Sequence, residues 1–405
     1  MALSAIGAFG ILAAAQSHAA VWENTQPWST EIENQYSEWI QNDFRADTFA
    51  QKPGNALGMP VSQQQIPYLA RALFSAKNGL PFLVRSRVDS RKFISNLSTA
   101  FDAEAEGDAR LAAFLKNIRA GLTFDTLAMD SFPLAPSADA IRPGAFYLEY
   151  RSFTNPEADP TAMMIKTLDA STGVISFLLA DHENEARTLT EGAPNITLQP
   201  SGSSGFMALR WAKADQSGLE NHFQIEDPRF SALGQYQKNF TPNPAILRDS
   251  FLYRIMESVS GNKVDATVEL KQEGLDLCLG ARERLDWVDE SLEFLEAQRQ
   301  KDPTFSMKSG SSIYNKYSTP SRDKQFAIRY DAFRKKYRNL VNLALLEQEL
   351  QSCEIRFGTS ENEKLTLQEF RLRLLNSTAS SDPNASREKR WGAPEPLIVA
   401  TPVNP

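Results

Sequence analysis

Leu277, Ala281, Leu285, Val288, Leu292 and Leu295 recur at steps of 4, 4, 3, 4 and 3 residues, so they share one face of a helix. A second stripe, Phe326, Tyr330, Phe333, Tyr337, Leu340 and Ala344, keeps the same period and continues through Leu346 and Leu350. Each stripe must be buried, and the polar stretch between them leaves room for a reversal. The spacing therefore predicts a long antiparallel helical hairpin. Ser318-Thr319-Pro320 marks the start of its second arm, with Ser318 or Thr319 as cap and Pro320 at the first helical position.

The chain has two cysteines. Cys278 opens the first stripe and Cys353 closes the second, so the hairpin brings them toward each other at its open end. In an oxidising compartment that predicts a Cys278–Cys353 disulfide. The arms differ by roughly eight residues, about 12 Å at ~1.5 Å per residue, so a bend or a late start in the second arm is required. Two unpaired core cysteines and a catalytic Cys are the competing readings.

Upstream the order of elements changes. Trp22 to Pro60 mixes aromatic and acidic residues as helices lying against a domain do. Pro67 opens a helix whose Tyr68, Leu69, Ala72, Leu73 and Ala76 share a face until Asn78-Gly79 ends it, and Leu111 to Ile118 form a second amphipathic segment. After the turn Arg142-Pro143-Gly144, short apolar runs at 145–150, 162–168, 174–179 and 206–211 read as strands. Helices first and consecutive strands next predict an α+β unit with an antiparallel sheet.

Residues 1–19 are apolar and uncharged and end in Ser17-His18-Ala19, a small-residue site that predicts a signal peptide cleaved after Ala19. A buried N-terminal helix is the alternative. The expected division is then 1–19 signal, 20–243 α+β domain, 244–375 helical domain and 376–405 a partly disordered tail. No other segment reaches the ~18 apolar residues of a membrane span, so the mature chain is expected in the periplasm or secreted.

At 405 residues the chain supports a sizeable core, and 50 acidic against 43 basic residues, a net −7, argue against nucleic acid as the main partner. Three histidines leave few candidates for a catalytic base, and cleavage removes one, leaving His182 and His222. Two distant cysteines and two histidines without paired spacing make no zinc site, and Glu183 and Glu185 read as a solvated loop. No cofactor is implied.

Ser62 to Phe82, ending Asn78-Gly79-Leu80-Pro81-Phe82, resembles the first helix of papain-like, NlpC-type bacterial cell-wall cysteine peptidases and their periplasmic relatives. Ile141-Arg142-Pro143-Gly144-Ala145-Phe146-Tyr147 is similar to the turn and strand that follow the helical part in that family. The resemblance covers Ser62 to His182. It implies that the family's Asp-Cys pair falls on Ser62 and Gln63, that Thr161 stands where the next strand begins with the catalytic His, and that the third polar group lies near Asp181-His182. Neither Gln63 nor Thr161 can supply a thiolate or its imidazole base. The expected site is therefore a degenerate one, Gln63, Thr161 and His182, that binds rather than cuts. The resemblance implies an exported envelope binding or scaffold protein, with peptidoglycan or an envelope protein as the expected partner. A hydrolase acting on cell-wall glycan or peptide, and a structural protein that oligomerises through its helical hairpin, are the alternatives.

Overall fold

The computed structural model describes residues 20–51, 57–105, 107–149, 160–180, 185–200, 204–222, 227–243, 246, 249–359 and 363–393. The predicted signal segment and His182 lie outside them. The chain is α+β, with an antiparallel sheet preceded by helices and followed by a helical C-terminal region.

The first helices are α1 (Thr30–Asn42), α2 (Ile66–Asn78), α3 (Asp108–Arg119) and α4 (Phe124–Asp130), with a small hairpin of β1 (Leu83–Arg85) and β2 (Phe93–Ser95) between α2 and α3. Ser29 caps α1 by accepting from the Ile32 N–H, and Thr123 caps α4 by accepting from the Thr126 N–H. α2 stops at Gly79, whose φ of +61° is left-handed. A Cβ there would stand 2.2 Å from Thr25 Oγ1, so the position requires glycine for space as well as for conformation.

Six strands form the main sheet: β3 (Ser131–Pro133), β4 (Phe146–Glu149), β5 (Thr161–Leu168), β6 (Ile175–Leu179), β7 (Thr190–Gly192) and β8 (Gly205–Leu209). Their order is β3-β8-β4-β5-β6-β7, every pair antiparallel. Phe146 pairs with Met164 on one side and Met207 on the other. Phe146, Leu148, Ala162, Met164 and Met207 face the core shared with α1 to α3, while Tyr147, Met163, Ile165, Phe177 and Phe206 face a second core. A sheet covered on both faces has no polar side, which is why its central strands read as unbroken apolar runs rather than alternations. The four strands expected from those runs are β4, β5, β6 and β8. The edge strands β3 and β7, Ser-Phe-Pro and Thr-Glu-Gly, are three residues long and carry no such signal.

The register of β5 shifts between Ile165 and Thr167. At that irregularity Lys166 Nζ donates to the carbonyls of Ile40, Gln41 and Phe44 at 2.6, 3.1 and 2.8 Å. A cation there satisfies the orphaned carbonyls at the end of α1 and suits the negative end of its dipole.

The second face of the sheet is covered by α5 (Phe251–Ser260), through Phe251, Leu252, Ile255 and Met256. The sheet unit thus extends past residue 243. α6 (Ala266–Arg299) then leaves the sheet while remaining tied to it. Buried Gln272 accepts from the Ile175 N–H at 2.9 Å and donates to the carbonyls of Ile175 and Ala193 at 2.9 and 3.0 Å.

α8 (Pro320–Tyr337) runs back along α6, following the short α7 (Ser312–Tyr317). Arg284–Asp323, Asp276–Arg329 and Glu273–Lys336 pair in reverse sequence order, which fixes the two helices as antiparallel. The second apolar stripe is not one helix. It breaks after Tyr337 and restarts as α9 (Leu343–Ser352), with the Asn342 side chain accepting from the Ala344 N–H at 2.8 Å. That break absorbs the excess length of the second arm and brings Cys353 to Cys278 as a disulfide with Cα atoms 5.7 Å apart.

A two-stranded ladder of β9 (Ile355–Arg356) and β10 (Lys364–Leu365), then α10 (Leu367–Leu375) and α11 (Arg387–Trp391), complete the helical region. Of the predicted tail, residues 376–393 are anchored on the helical region by buried Pro383, Arg390 and Trp391, with the rest partly or fully exposed. Trp391 is fully buried and stacks on Phe357 with centroids 5.6 Å apart. Residues 394–405 lie outside the described residues.

The disulfide closes a sequence separation of 75 residues. In the chain-entropy model a loop of this size confers roughly 4 kcal/mol. Urea unfolding of the Cys278→Ala/Cys353→Ala variant is expected to show a loss approaching that value with the m-value little changed, and nonreducing mass spectrometry of the natural chain to show no free thiol. Two free thiols would remove the staple from the account.

Candidate functional site

Ser62 to Gln65 form the turn from which α2 starts, a 3-10 helix at Gln63–Gln65. Gln65 fixes it from two sides. Its Oε1 accepts from the Ser62 N–H at 3.0 Å and its Nε2 donates to the Arg119 carbonyl at 3.0 Å. Arg119 in turn donates to the Pro60 carbonyl at 2.6 Å.

Held this way, Gln63 reaches the beginning of β5, where its Oε1 accepts from the Ala162 N–H at 3.3 Å. The reason lies in the ladder. Ile165 exchanges bonds with the β4 side, donating to Ala145 O and accepting from Gly144 N. Backbone groups two or four residues apart in a strand point the same way, so Ala162, an odd step from Ile165, points toward the β6 side. β6 has ended at Leu179 by that level, and Gln63 supplies the missing acceptor. Thr161, paired with Glu149 and partly exposed, lies next to it.

Two of the three expected site positions are therefore neighbours, and His182 lies outside the described residues. The Ser62 side chain belongs to a capping box with Gln65, while Gln64 Oε1, on the other side of Gln63, is buried and has no hydrogen-bond partner among the described residues. An amide and hydroxyls can recognise a ligand by hydrogen bonding, but they provide neither a thiolate nor an imidazole.

The described histidine, His222, is fully buried in a different place. Its Nδ1 lies 2.8 Å from Asp227 Oδ2, its Nε2 accepts from the Trp211 N–H at 3.4 Å, and its ring stacks on Phe132 with centroids 4.0 Å apart. Asp227 also accepts from Arg229 at 3.1 and 2.8 Å. Arg229 reaches on to Glu33 Oε1 at 3.1 Å, and Glu33 takes two further bonds from Arg71 at 3.1 and 2.6 Å and one from Trp211 Nε1 at 2.8 Å. The Arg71 guanidinium lies 3.5 Å from the Trp28 ring centroid and 4.6 Å from that of Tyr36.

Two buried carboxylates thus face two buried guanidinium groups. Burial pushes the Glu33 carboxyl up, but the charges of Arg71 and Arg229 and the bonds from Arg71 and Trp211 outweigh it, and its pKa falls to about 2. Burial likewise raises Asp227, yet the bonds from His222 and Arg229 hold it well below the usual carboxylate range. Burial pushes the His222 imidazole down against the pull of Asp227. None of these members was legible as a site from spacing, because Glu33, Arg71, Trp211 and Arg229 come from four separated segments.

Beside this network Asp130 accepts from Tyr68 Oη, Arg85 N and Arg85 Nε, each at 2.9 Å. The cavity between them, walled by Tyr68, Arg71, Asp130 and Arg210, has a volume of about 10 Å³. That is the space of one water and leaves no room for a substrate.

Compared with known proteins, the chain matches no family model, no curated protein and no solved structure.

The network carries a signature in pH. Glu33 ionises at about 2 folded against an ordinary 4.5, so its contribution is complete above about pH 5 and is lost as the pH falls through that interval. His222 is lowered from 6.5, so folding favours its neutral form, and that contribution is lost as the pH falls below about 6.5. Urea midpoints measured from pH 8 to 3 should fall in two stages, and His222→Gln should abolish the upper one. Glu33→Gln should cost about 3–5 kcal/mol at pH 7 by leaving buried guanidinium charge uncompensated. An upper stage that survives His222→Gln would assign it to another group.

Proposed function

We propose that this chain is an exported, non-catalytic binding or scaffold protein of the cell envelope, built on a degenerate papain-like arrangement. The observation that carries the reading is the Gln63 Oε1 to Ala162 N hydrogen bond at 3.3 Å. It joins the start of the α2 helix to the start of β5, the two places where the resemblance puts a nucleophile and its base. An amide and a hydroxyl occupy those places, next to a buried Gln64 oxygen that has hydrogen-bonding capacity to spare among the described residues.

Two further observations support binding over cutting. Cys278 and Cys353 are joined to each other and hold no thiolate. His222 is enclosed by Phe132, Trp211 and Asp227, beyond the reach of a substrate. A cystine also suits an oxidising compartment outside the cytoplasm. The ligand that fits the reading is a peptide-bearing polymer whose amides pair with Gln63 and Thr161, and peptidoglycan is the form that the resemblance implies.

The test is sedimentation of the chain beginning at Ala20 with purified sacculi, with the supernatant assayed for released fragments. The protein should pellet without releasing soluble material. Thr161→Arg, at a partly exposed position, should weaken pelleting about tenfold, the loss of ~1.4 kcal/mol, with the melting temperature unchanged. Release of muropeptides would make the protein a hydrolase, and pelleting no greater than that of an inert control protein would sink the proposed partner.

A further inference from the structure

A second concavity, of about 110 Å³, lies between α6 and α8, and three arginines line it: Arg284 from α6, and Arg322 and Arg329 from α8. Arg322, Gln325 and Arg329 follow at i, i+3 and i+7, the spacing of one helix face. Phe326 and Phe370 supply apolar walls, and Glu283 and Asp323 also line it. We propose that this cleft binds a small oxyanion, a phosphate or a phosphomonoester group.

The first argument is a buried Arg284 donor that the neighbouring side chains leave unpaired. Asp323 is already saturated. Its Oδ1 accepts from Arg284 Nε at 2.7 Å, and its Oδ2 accepts from Arg284 Nη2, Thr319 Oγ1 and Ser381 Oγ at 3.3, 2.8 and 2.6 Å. Glu283 Oε1 takes the Trp287 indole N–H at 3.1 Å and stands 4.0 Å from Arg322 Nε. Arg329 gives one N–H to Asp276 at 2.6 Å. The Arg284 side chain is 3% exposed, and its Nη1 has no hydrogen-bond partner among the described residues. A buried guanidinium N–H left unpaired is costly, and an anion's oxygens would satisfy it.

The second argument is the shape of the wall. Gly280 sits within a 34-residue helix, where glycine costs about 1 kcal/mol relative to alanine. A Cβ there would stand 3.0 Å from Arg329 Nη1. Its absence lets that guanidinium lie against α6 and keeps the cleft open. The volume admits a few waters or one tetrahedral anion, and forked guanidinium donors match phosphate oxygens.

Trp287 supplies a signal, because the Arg322 guanidinium lies 3.7 Å from its ring centroid. The full chain is titrated with inorganic phosphate and, separately, glycerol 3-phosphate by calorimetry and tryptophan emission, with chloride holding ionic strength constant. Saturable binding is expected. Response to inorganic phosphate alone would identify a free ion as the ligand, and response to both a phosphomonoester. Arg322→Gln/Arg329→Gln, whose side chains are 39% and 45% exposed, should weaken binding at least tenfold with circular dichroism and the disulfide intact. Gly280→Ala should weaken it without touching a charge. No response beyond the chloride control, or equal affinity in the double variant, would overturn the proposal.

Discussion

The Glu33 carboxylate, buried in α1, accepts from Arg71 of α2, from the Trp211 indole and from Arg229 beside the β3 edge. Three segments far apart in sequence meet at that one group, and His222, Asp227, Trp28 and Tyr36 are arranged around it. Removing charges from water is expensive, and the cost is offset only when every guanidinium and carboxylate finds a partner with good geometry. The arrangement is therefore close to all-or-none. Tyr36 and Trp39 of α1 would still pack on Phe74 of α2 if Glu33 were lost, but Arg71 and Arg229 would be left enclosed as uncompensated charge.

The sheet stands between this network and the helical region. Its two apolar faces are served by different parts of the chain, the first by α1 to α3 and the second by α5. Gln272 of α6 then joins the ladder end at Ile175 and Ala193 through three hydrogen bonds. The helical region is thus docked to the sheet by polar groups that substitute for strand neighbours. Gln63 plays the same part at the start of β5. Side-chain amides finish the ladder at both places, and at one of them the amide also occupies the centre of the proposed binding site.

Much of the fold was legible because it follows from local periods. The apolar runs of β4, β5, β6 and β8, the Pro67 helix with its Asn78-Gly79 stop and the two long stripes each announce themselves within a few turns of chain. The three-residue strands β3 and β7 did not, since their place in the sheet comes from neighbours supplied by other segments. The break between α8 and α9 was foreseen only as a requirement. An uninterrupted stripe in the sequence does not reveal that the backbone turns between Tyr337 and Leu343. Residues 376–393 looked like a polar tail by composition, yet the single Trp391 anchors them in the core.

For the candidate site the division is sharper. The sequence by itself determined which residue types stand at positions 63 and 161, and hence that neither can act as a thiolate or an imidazole base. It also determined that Cys278 and Cys353 terminate facing stripes, because helical period and chain length are properties of the local chain. Only the tertiary structure decided that Gln63 meets Ala162, that His222 is enclosed with Asp227, and that Arg284, Arg322 and Arg329 share a cleft. Those meetings depend on which segments pack against one another, and packing is fixed by the summed burial and charge pairing of the whole chain rather than by any stretch of it.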